Sequence, residues 1–240
     1  MVPPPVIERP PPRCGLTWEW TAEGGELVTS FAGARVRGTV SAFEAGAGLT
    51  ASAWLAPDAL APHFLLGGLA VMLSRRLGGA VLHAASVELD GGVVAFVGPS
   101  GAGKTTACRH MEGAALASVD RLAVVPLGST WLSHPLPGGT RPAPDMPNAA
   151  PRWRPLTAVL RVHQSANGTG VDAPAPALAV TSLRESTFQS GLGPGAEEEL
   201  LSALEHLVQH VPVARLELQL GASLKPLLRR WLESQAKDRR

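Results

Sequence analysis

The chain has 240 residues, 21 Lys and Arg against 20 Asp and Glu, a formal net charge of +1 and 45% hydrophobic residues. This size and hydrophobic content predict one large domain, or one domain with a smaller appendage, with a sizeable core, and they exclude a wholly disordered chain. The near-neutral charge argues against a nucleic-acid or anionic-membrane partner. Two cysteines are too few for a disulfide framework, the proline-rich amino terminus does not resemble a signal peptide, and no apolar run is long enough for a membrane helix. We therefore expect a cytoplasmic protein with no membrane partner.

The chain begins with a proline-rich arm over residues 1–13, in which each proline removes a backbone hydrogen-bond donor. Residues 14–60 alternate short apolar runs with glycine turns, and this pattern predicts an antiparallel β-rich segment. Residues 61–240 form the expected main domain, in one compact unit with the β-rich segment. This domain begins with a predicted helix over 62–77, which starts at a proline and stops at two glycines.

Two β-rich runs follow, over 80–89 and 93–97, and the DGG sequence between them is a strong hairpin signal. A glycine loop comes next, and a helix is predicted over 105–113. The proline-rich stretch 134–155 is too long for a passive connector and predicts a functional loop. The remaining predicted elements are strands over 115–119, 121–127, 156–163 and 211–220 and helices over 181–189, 195–210 and 223–235. Together these elements predict an α/β fold, a mixed β-sheet with flanking helices and an N-terminal antiparallel β segment.

Residues 98–105, GPSGAGKT, match the phosphate-binding Walker A or P-loop pattern G-x-x-x-x-G-K-[ST] at every fixed position. Glycines allow successive backbone N–H groups to converge on a phosphate, and the following helix N-terminus favours negative charge. Lys104 is expected to reach the β- and γ-phosphates, and the Thr105 hydroxyl to ligate Mg²⁺. Lys104 is one of only three lysines in a chain that otherwise uses arginine, so its presence in this loop favours a phosphate site.

The motif predicts a nucleotide site with ATP and Mg²⁺ as cofactors, and no guanine-recognition motif favours GTP. The expected nucleotide-binding residues are Gly98, Pro99, Ser100, Gly101, Ala102, Gly103, Lys104, Thr105 and Thr106.

A second oxygen ligand for the metal is expected at the end of a neighbouring strand. The acidic residues between the loop and residue 160 are Glu112, Asp120 and Asp145. Asp120 directly follows a short apolar strand, so it is the candidate metal ligand; an ordinary turn aspartate is the alternative. His83 lies on the first strand of the hairpin, beside the strand that leads into the loop. It is either a core histidine or a catalytic group.

The segment LHAASVELDGGVVAFVGPSGAGKTT, a hairpin that runs directly into a phosphate loop, resembles the HPr kinase family and its stand-alone relatives. The core of that family is similar to phosphoenolpyruvate carboxykinase. The resemblance extends over about residues 66–220 and is sharp over 80–121. It implies a P-loop NTPase of the HPr kinase/PEP carboxykinase-like type. It also implies catalytic roles for His83, Lys104 and Asp120, with Thr105 and Asp120 as metal ligands.

The chain departs from that family in the pair of aspartates that follows the loop. Members carry two adjacent aspartates after the loop, whereas this chain has Val119 where the first is expected and Asp120 at the second. The first aspartate is the family's base toward the acceptor hydroxyl, so Asp120 or His83 would have to replace it. One reading is an ATP-dependent kinase that transfers the γ-phosphoryl group to a Ser or Thr hydroxyl of a peptide or small protein. The alternative is a catalytically impaired nucleotide-binding sensor or scaffold; a slow ATPase is a weaker third.

A peptide or small-protein partner is expected at the 134–155 stretch, where Arg141, Arg152 and Arg154 could contact an acidic group or a phosphate. A solvated loop with ordinary arginines is the alternative. Members of the family are often oligomeric, so the resemblance also allows a homo-oligomer.

Overall fold

The computed structural model describes residues 26–31, 34–39, 67, 70–71, 74–75, 77–136, 146–188 and 195–238. The predicted arm over 1–13 lies outside these residues, as does the centre of the predicted 134–155 loop. The chain divides into two compact units, Met1–Leu73 with Gln189–Glu199 and Ser74–Phe188 with Leu200–Arg240. Within the described residues, no helix has the length and apolar character needed to cross a membrane.

The first unit contains an antiparallel pair of strands, β1 (Glu26–Phe31) and β2 (Ala34–Thr39). This pair lies within the segment over 14–60 for which antiparallel β structure is predicted. Further along the chain, the predicted helix over 62–77 is described only in part. Its helical residues are Gly67, Ala70, Val71, Ser74 and Arg75.

The rest of the described chain contains eight strands and four helices. The strands are β3 (Ala80–Leu89), β4 (Gly92–Val97), β5 (Leu116–Ser118), β6 (Arg121–Leu127), β7 (Thr130–Pro135), β8 (Arg154–Gln164), β9 (Gly170–Asp172) and β10 (Val213–Leu218). The helices are α1 (Lys104–Arg109), α2 (Pro176–Glu185), α3 (Ala196–His210) and α4 (Lys225–Asp238).

Six of these strands form one mixed sheet in the order β5–β3–β4–β8–β10–β9. β4, β8 and β10 run parallel in its centre. β3 is antiparallel to both β4 and β5, and β9 is antiparallel to β10. The predicted α/β fold, with a mixed β-sheet and flanking helices, is therefore confirmed.

β3 and β8 also take part in a second set of pairings. Residues Ala80 to His83 of β3 pair antiparallel with β6, β6 pairs with β7, and β7 pairs with the first residues of β8. β4 joins β3 to β8. Five strands, β3, β6, β7, β8 and β4, therefore close a ring of hydrogen-bonded pairs.

One face of the six-stranded sheet carries a first core cluster, to which β3, β4 and β8 contribute Val87, Phe96 and Leu160. α1 adds Cys108 and α4 adds Leu228, and all five side chains are fully buried. Burying one such apolar side chain contributes about 1.5–3 kcal/mol. This cluster therefore holds α1, and with it the end of the loop that precedes α1, against the sheet.

The opposite face carries a second cluster, formed by the alternate residues of the same strands, such as Leu82 and Val97. Trp131 of β7, Leu183 of α2 and Leu204 of α3 pack into it. The near-continuous burial of β4, from Gly92 to Val97, follows from this two-sided cover.

The predicted hairpin between β3 and β4 is confirmed, with Leu89 opposite Gly92. Asp90 and Gly91 have φ values of 50° and 88°. Two successive residues with positive φ make the turn that joins antiparallel strands most tightly, and Asp-Gly is among the sequences that favour it. This turn fixes the register of the strand that leads into the glycine loop.

The predicted helix over 105–113 ends early, at Arg109. The backbone N–H of Leu224 donates to the carbonyl of His110 (3.1 Å), and the His110 ring bonds the carbonyl of Ala222 (2.7 Å). Gly113 then has a φ of 70°. Docking against the segment before α4 therefore replaces the last predicted turn of the helix.

The predicted helix over 181–189 was wrong in position, because α2 begins at Pro176 and ends at Glu185. Proline suits the first turn of a helix, and the residues after Glu185 pair with β3 instead of continuing the helix. Two strands were not predicted. β7 enters the start of the predicted 134–155 loop after a two-residue turn, and β9 has only three residues.

Gly79, just before β3, offers a test of the close approach between β3 and β6. A Cβ atom there would lie 2.1 Å from the carbonyl oxygen of Val124 and 2.9 Å from the Cα of Val125. Gly79→Ala should lower the free energy of unfolding by about 3 kcal/mol, because backbone atoms must shift. Gly170→Ala, whose Cβ meets nothing within 4 Å, should change it by less than about 1 kcal/mol. Urea unfolding measures both, and equal effects would contradict the packing described.

Candidate functional site

The GPSGAGKT loop lies between the end of β4 at Val97 and the start of α1 at Lys104. Gly98, Gly101 and Gly103 have φ values of 141°, 80° and 101°. Side-chain-bearing residues rarely adopt such values. A Cβ atom on Gly98 would also lie 3.2 Å from the Cβ of Ala102. The conformation of the loop therefore depends on its glycines.

The side chain of Lys104 is buried at the base of this loop. Its Nζ donates hydrogen bonds to the carbonyl oxygens of Gly98 (2.8 Å) and Pro99 (3.1 Å). Burial lowers the pKa of Lys104, and the negative charge of Asp120 opposes that shift. The ammonium group is thus held inside the loop by neutral acceptors. A phosphate oxygen would be a stronger partner, since it adds the attraction between opposite charges to the hydrogen bond.

Residues at the end of strand β8 contact the loop. The Gln164 amide nitrogen donates to the carbonyl of Gly101 (3.0 Å), and a Cβ on Gly103 would lie 3.7 Å from Val162. Thr105 and Thr106, in the first turn of α1, are half-buried. α1 has only six residues, so few peptide dipoles are aligned. An anion bound here would therefore depend mainly on Lys104 and on the N–H groups of the loop.

Asp120 lies in the turn between β5 and β6, with two side chains beside its carboxylate. Its Oδ1 is 3.3 Å from Nε2 of His83, and its Oδ2 is 3.5 Å from Nε of Arg121. The backbone fixes this arrangement, since His83 is directly opposite Arg121 in the β3–β6 pair. The N–H of Ala84 donates to the Asp120 carbonyl (3.1 Å), and the Ser118 hydroxyl donates to the Arg121 carbonyl (2.7 Å).

The side chain of His83 is 39% exposed, so it is not enclosed in the core. Burial lowers the pKa of His83, and the positive charges of Lys104 and Arg121 lower it further. Asp120 acts in the opposite direction. The neutral imidazole is therefore favoured near pH 7, which a proton acceptor requires. His83, Lys104 and Asp120 were expected to act together, and Asp120 lies close enough to His83 and Lys104 to affect the protonation of both.

Val119, at the position where a second carboxylate was expected, packs against the first core cluster. The described residues contain no group of three or more His, Cys, Asp or Glu side chains that could hold a metal ion. Thr105 and Asp120 thus remain the candidate protein ligands for Mg²⁺.

Arg154, one of three arginines considered for contact with an acidic partner or for an ordinary solvated loop, is instead a structural residue. Its side chain is buried, forms an ion pair with Glu88 and donates to the carbonyl of Ala150 (3.0 Å). Arg154 is the first residue of β8 and lies opposite Ser133 of β7. Arg152 is exposed, and Arg141 lies outside the described residues.

Sequence reasoning missed three residues of this site: Arg121, Gln164 and Phe188. Phe188 lies against His83, with ring centroids 5.5 Å apart, and against the Arg121 guanidinium. No motif marks Phe188 or Gln164, because tertiary structure brings them to the site. Arg121 could have been noticed, as it directly follows the candidate metal ligand.

A cleft of about 490 Å³ lies elsewhere, between α2 and the ends of β8, β9 and β10, and includes none of the residues predicted for the site. Arg161 in this cleft is paired with Glu185 (2.6 Å), and Arg215 with Glu217 (2.7 Å). These arginines are therefore already engaged by carboxylates.

No protein-family model and no curated protein matches this sequence. The resemblance to the HPr kinase family therefore stays a prediction, carried by His83, the loop over 98–105 and Asp120. The functional interpretation depends on what these side chains can do chemically.

Asp120→Asn should lower the pKa of His83, because Asp120 is the neighbouring charge that raises it. NMR titration of the imidazole protons measures this change. His163 is an internal control. Burial, Arg215 and Arg161 lower the pKa of His163 and Glu217 raises it, so the substitution should leave it unchanged. A His83 pKa that stays constant or rises would contradict the described pairing with Asp120.

Proposed function

We propose that the chain binds ATP with Mg²⁺ at the 98–105 loop and transfers the γ-phosphoryl group to a Ser or Thr hydroxyl of a peptide or small protein. It would then be a P-loop NTPase of the HPr kinase/PEP carboxykinase-like type. The observation that carries the proposal is the cluster of Lys104, His83 and Asp120, which come from three separate elements. A cytoplasmic location and a homo-oligomeric state belong to the same proposal.

The loop supplies the phosphate contacts. Its glycines leave backbone N–H groups able to converge on the β- and γ-phosphates, and Lys104 contributes the positive charge. Lys104 must exchange its bonds with the Gly98 and Pro99 carbonyls for phosphate oxygens. The nearby Asp120 helps to keep this buried amine protonated.

The residues present fit a magnesium ion. Thr105 and Asp120 offer a hydroxyl and a carboxylate, which are the hard oxygen donors that Mg²⁺ prefers. Mg²⁺ is commonly held by one or two protein oxygens together with phosphates and water, so two protein donors are sufficient. When bound, it would neutralise charge on the phosphates.

His83 is the proposed base, since a carboxylate engaged with a metal accepts protons poorly. With Nε2–H donated to Asp120, the lone pair is on Nδ1. The acceptor hydroxyl loses its proton to Nδ1, and its oxygen forms a bond to the γ-phosphorus. The bond from that phosphorus to the β,γ-bridging oxygen breaks, and ADP leaves. Asp120 stabilises the resulting imidazolium, and Lys104 stabilises charge on the phosphoryl oxygens.

A second candidate function is supported by Val119. A side chain packed on the apolar core provides no second carboxylate, and both oxygens of Asp120 already have neighbours. In this case the chain binds ATP as a sensor or scaffold without transferring phosphate.

Transfer is tested by incubating the chain with γ-labelled ATP, Mg²⁺ and Ser- or Thr-containing peptides encoded by neighbouring genes. Label should enter a peptide, and Lys104→Ala or Asp120→Asn should reduce its rate about 100-fold or more, because transition-state charge loses its partner. Lys225→Ala is the matched control, since Lys225 donates to the Glu112 carbonyl and should leave transfer intact. Equal rates in all four proteins would overturn the assignment.

The two functions are separated by Val119→Asp, with Val119→Asn as a control of similar shape. If the chain is an active kinase, the unchanged protein transfers label. If it is an impaired binder, calorimetry detects ATP binding without transfer, and Val119→Asp alone gains transfer by restoring a carboxylate base. A chain that binds no ATP would contradict both functions.

A further inference from the structure

The carboxylate of Asp120 is only 28% exposed and has a neighbour on each oxygen, His83 at Oδ1 and Arg121 at Oδ2. Asp120 lies in a turn, where an aspartate could adopt several rotamers. Contacts on both sides select one of them. The orientation of this carboxylate therefore depends on what holds His83 and Arg121 in place.

Both of these side chains lie against one ring, that of Phe188. The His83 and Phe188 ring centroids are 5.5 Å apart, with an interplanar angle of 32°. The Arg121 Cζ lies 5.2 Å from the centroid of the Phe188 ring, within the range of a cation–π interaction. A single aromatic side chain thus supports both neighbours of the carboxylate.

The backbone around Phe188 is itself fixed to β3. The N–H of His83 donates to the carbonyl of Ser186 (2.6 Å), and the N–H of Phe188 donates to the carbonyl of Val81 (2.9 Å). Between them, Thr187 forms a β-bridge with Leu82.

The two residues before Phe188 are also anchored to the end of α2. The Ser186 hydroxyl donates to the carbonyl of Ser182 (3.0 Å), and the Thr187 hydroxyl donates to that of Leu183 (2.7 Å). The position of the Phe188 ring is therefore set by a short segment that is bonded to a helix on one side and to β3 on the other.

We propose that Phe188 is a positioning residue of this site, which orients the Asp120 carboxylate through His83 and Arg121. The inference rests on the proposed function and deepens it. Phe188 acts on the carboxylate and has no described contact with the 98–105 loop. Loss of its ring should therefore impair the Mg²⁺-dependent part of ATP binding and the transfer step, while Mg²⁺-free ATP binding persists.

The test is calorimetry of ATP binding to the full chain, with and without Mg²⁺. Phe188→Leu should reduce the gain in affinity that Mg²⁺ provides by about tenfold, the lower end expected when support for a metal ligand is lost. The Mg²⁺-free Kd should stay within about twofold. Phe188→Tyr keeps the ring and should restore the full gain. Leu127→Ala, which truncates an exposed apolar residue, should behave as wild type.

If Phe188→Leu does not fold, Phe188→Met takes its place in the calorimetric test, because methionine retains most of the side-chain volume. An unchanged Mg²⁺-dependent gain in these variants overturns the inference and leaves the proposed function intact. Equal losses with and without Mg²⁺, accompanied by a lower Tm, also overturn it, because they indicate a purely structural role. A wild-type chain that binds no ATP overturns the proposed function, and this inference with it.

Discussion

The pairing of β3 with β6 along one edge and with β4 along the other is the constraint on which the site depends. The strand's first four residues, up to His83, pair with β6, and from Ala84 onward it pairs with β4. Ala84 is opposite Val97, the last residue before the glycine loop, while His83 is opposite Arg121, the residue after Asp120. One step along β3 thus connects the phosphate loop to the acidic turn. A shift of register by one residue would turn His83 to the other face of the strand.

The candidate site brings positively and negatively charged side chains close together. The side chains of Lys104 and Arg121 are close to the carboxylate of Asp120, and burial opposes the charged forms of Lys104 and His83. The excess of positive charge suits a polyphosphate. Asp120 has several roles at once: it favours protonation of Lys104, its Oδ1 lies 3.3 Å from Nε2 of His83, and it is a candidate metal ligand. This dependence on one side chain follows from Val119, which belongs to the core.

Much of this arrangement could be predicted locally. The Asp-Gly turn, the glycine loop and an aspartate at the end of an apolar strand each carry their signal within a few residues, so β3, β4 and Asp120 were located from sequence. The start of α2 and the presence of β7 were not predicted. Pro176 and the two-residue turn at Gly128 are weak sequence signals, and tertiary pairing determines both elements. Phe188 could not be predicted as a site residue from the sequence, for a stronger reason. The Phe188 ring contacts His83 only because the segment after α2 pairs with β3. The pattern of hydrophobic residues in the sequence gives no sign of that pairing.

The two-sided pairing of β4 has a consequence for how the loop can move. β4 is hydrogen-bonded to β3 along one edge and to β8 along the other, and it is buried throughout. Such a strand belongs to the part of a protein whose amides exchange with solvent only when the whole unit opens. We therefore expect the amides of β4, which lead into the loop, to be among the slowest to exchange in the part of the chain that the structure describes. We expect a bound ligand to move side chains such as Lys104 and peptide planes beyond Gly98, and to leave the backbone of the buried strand β4 in place.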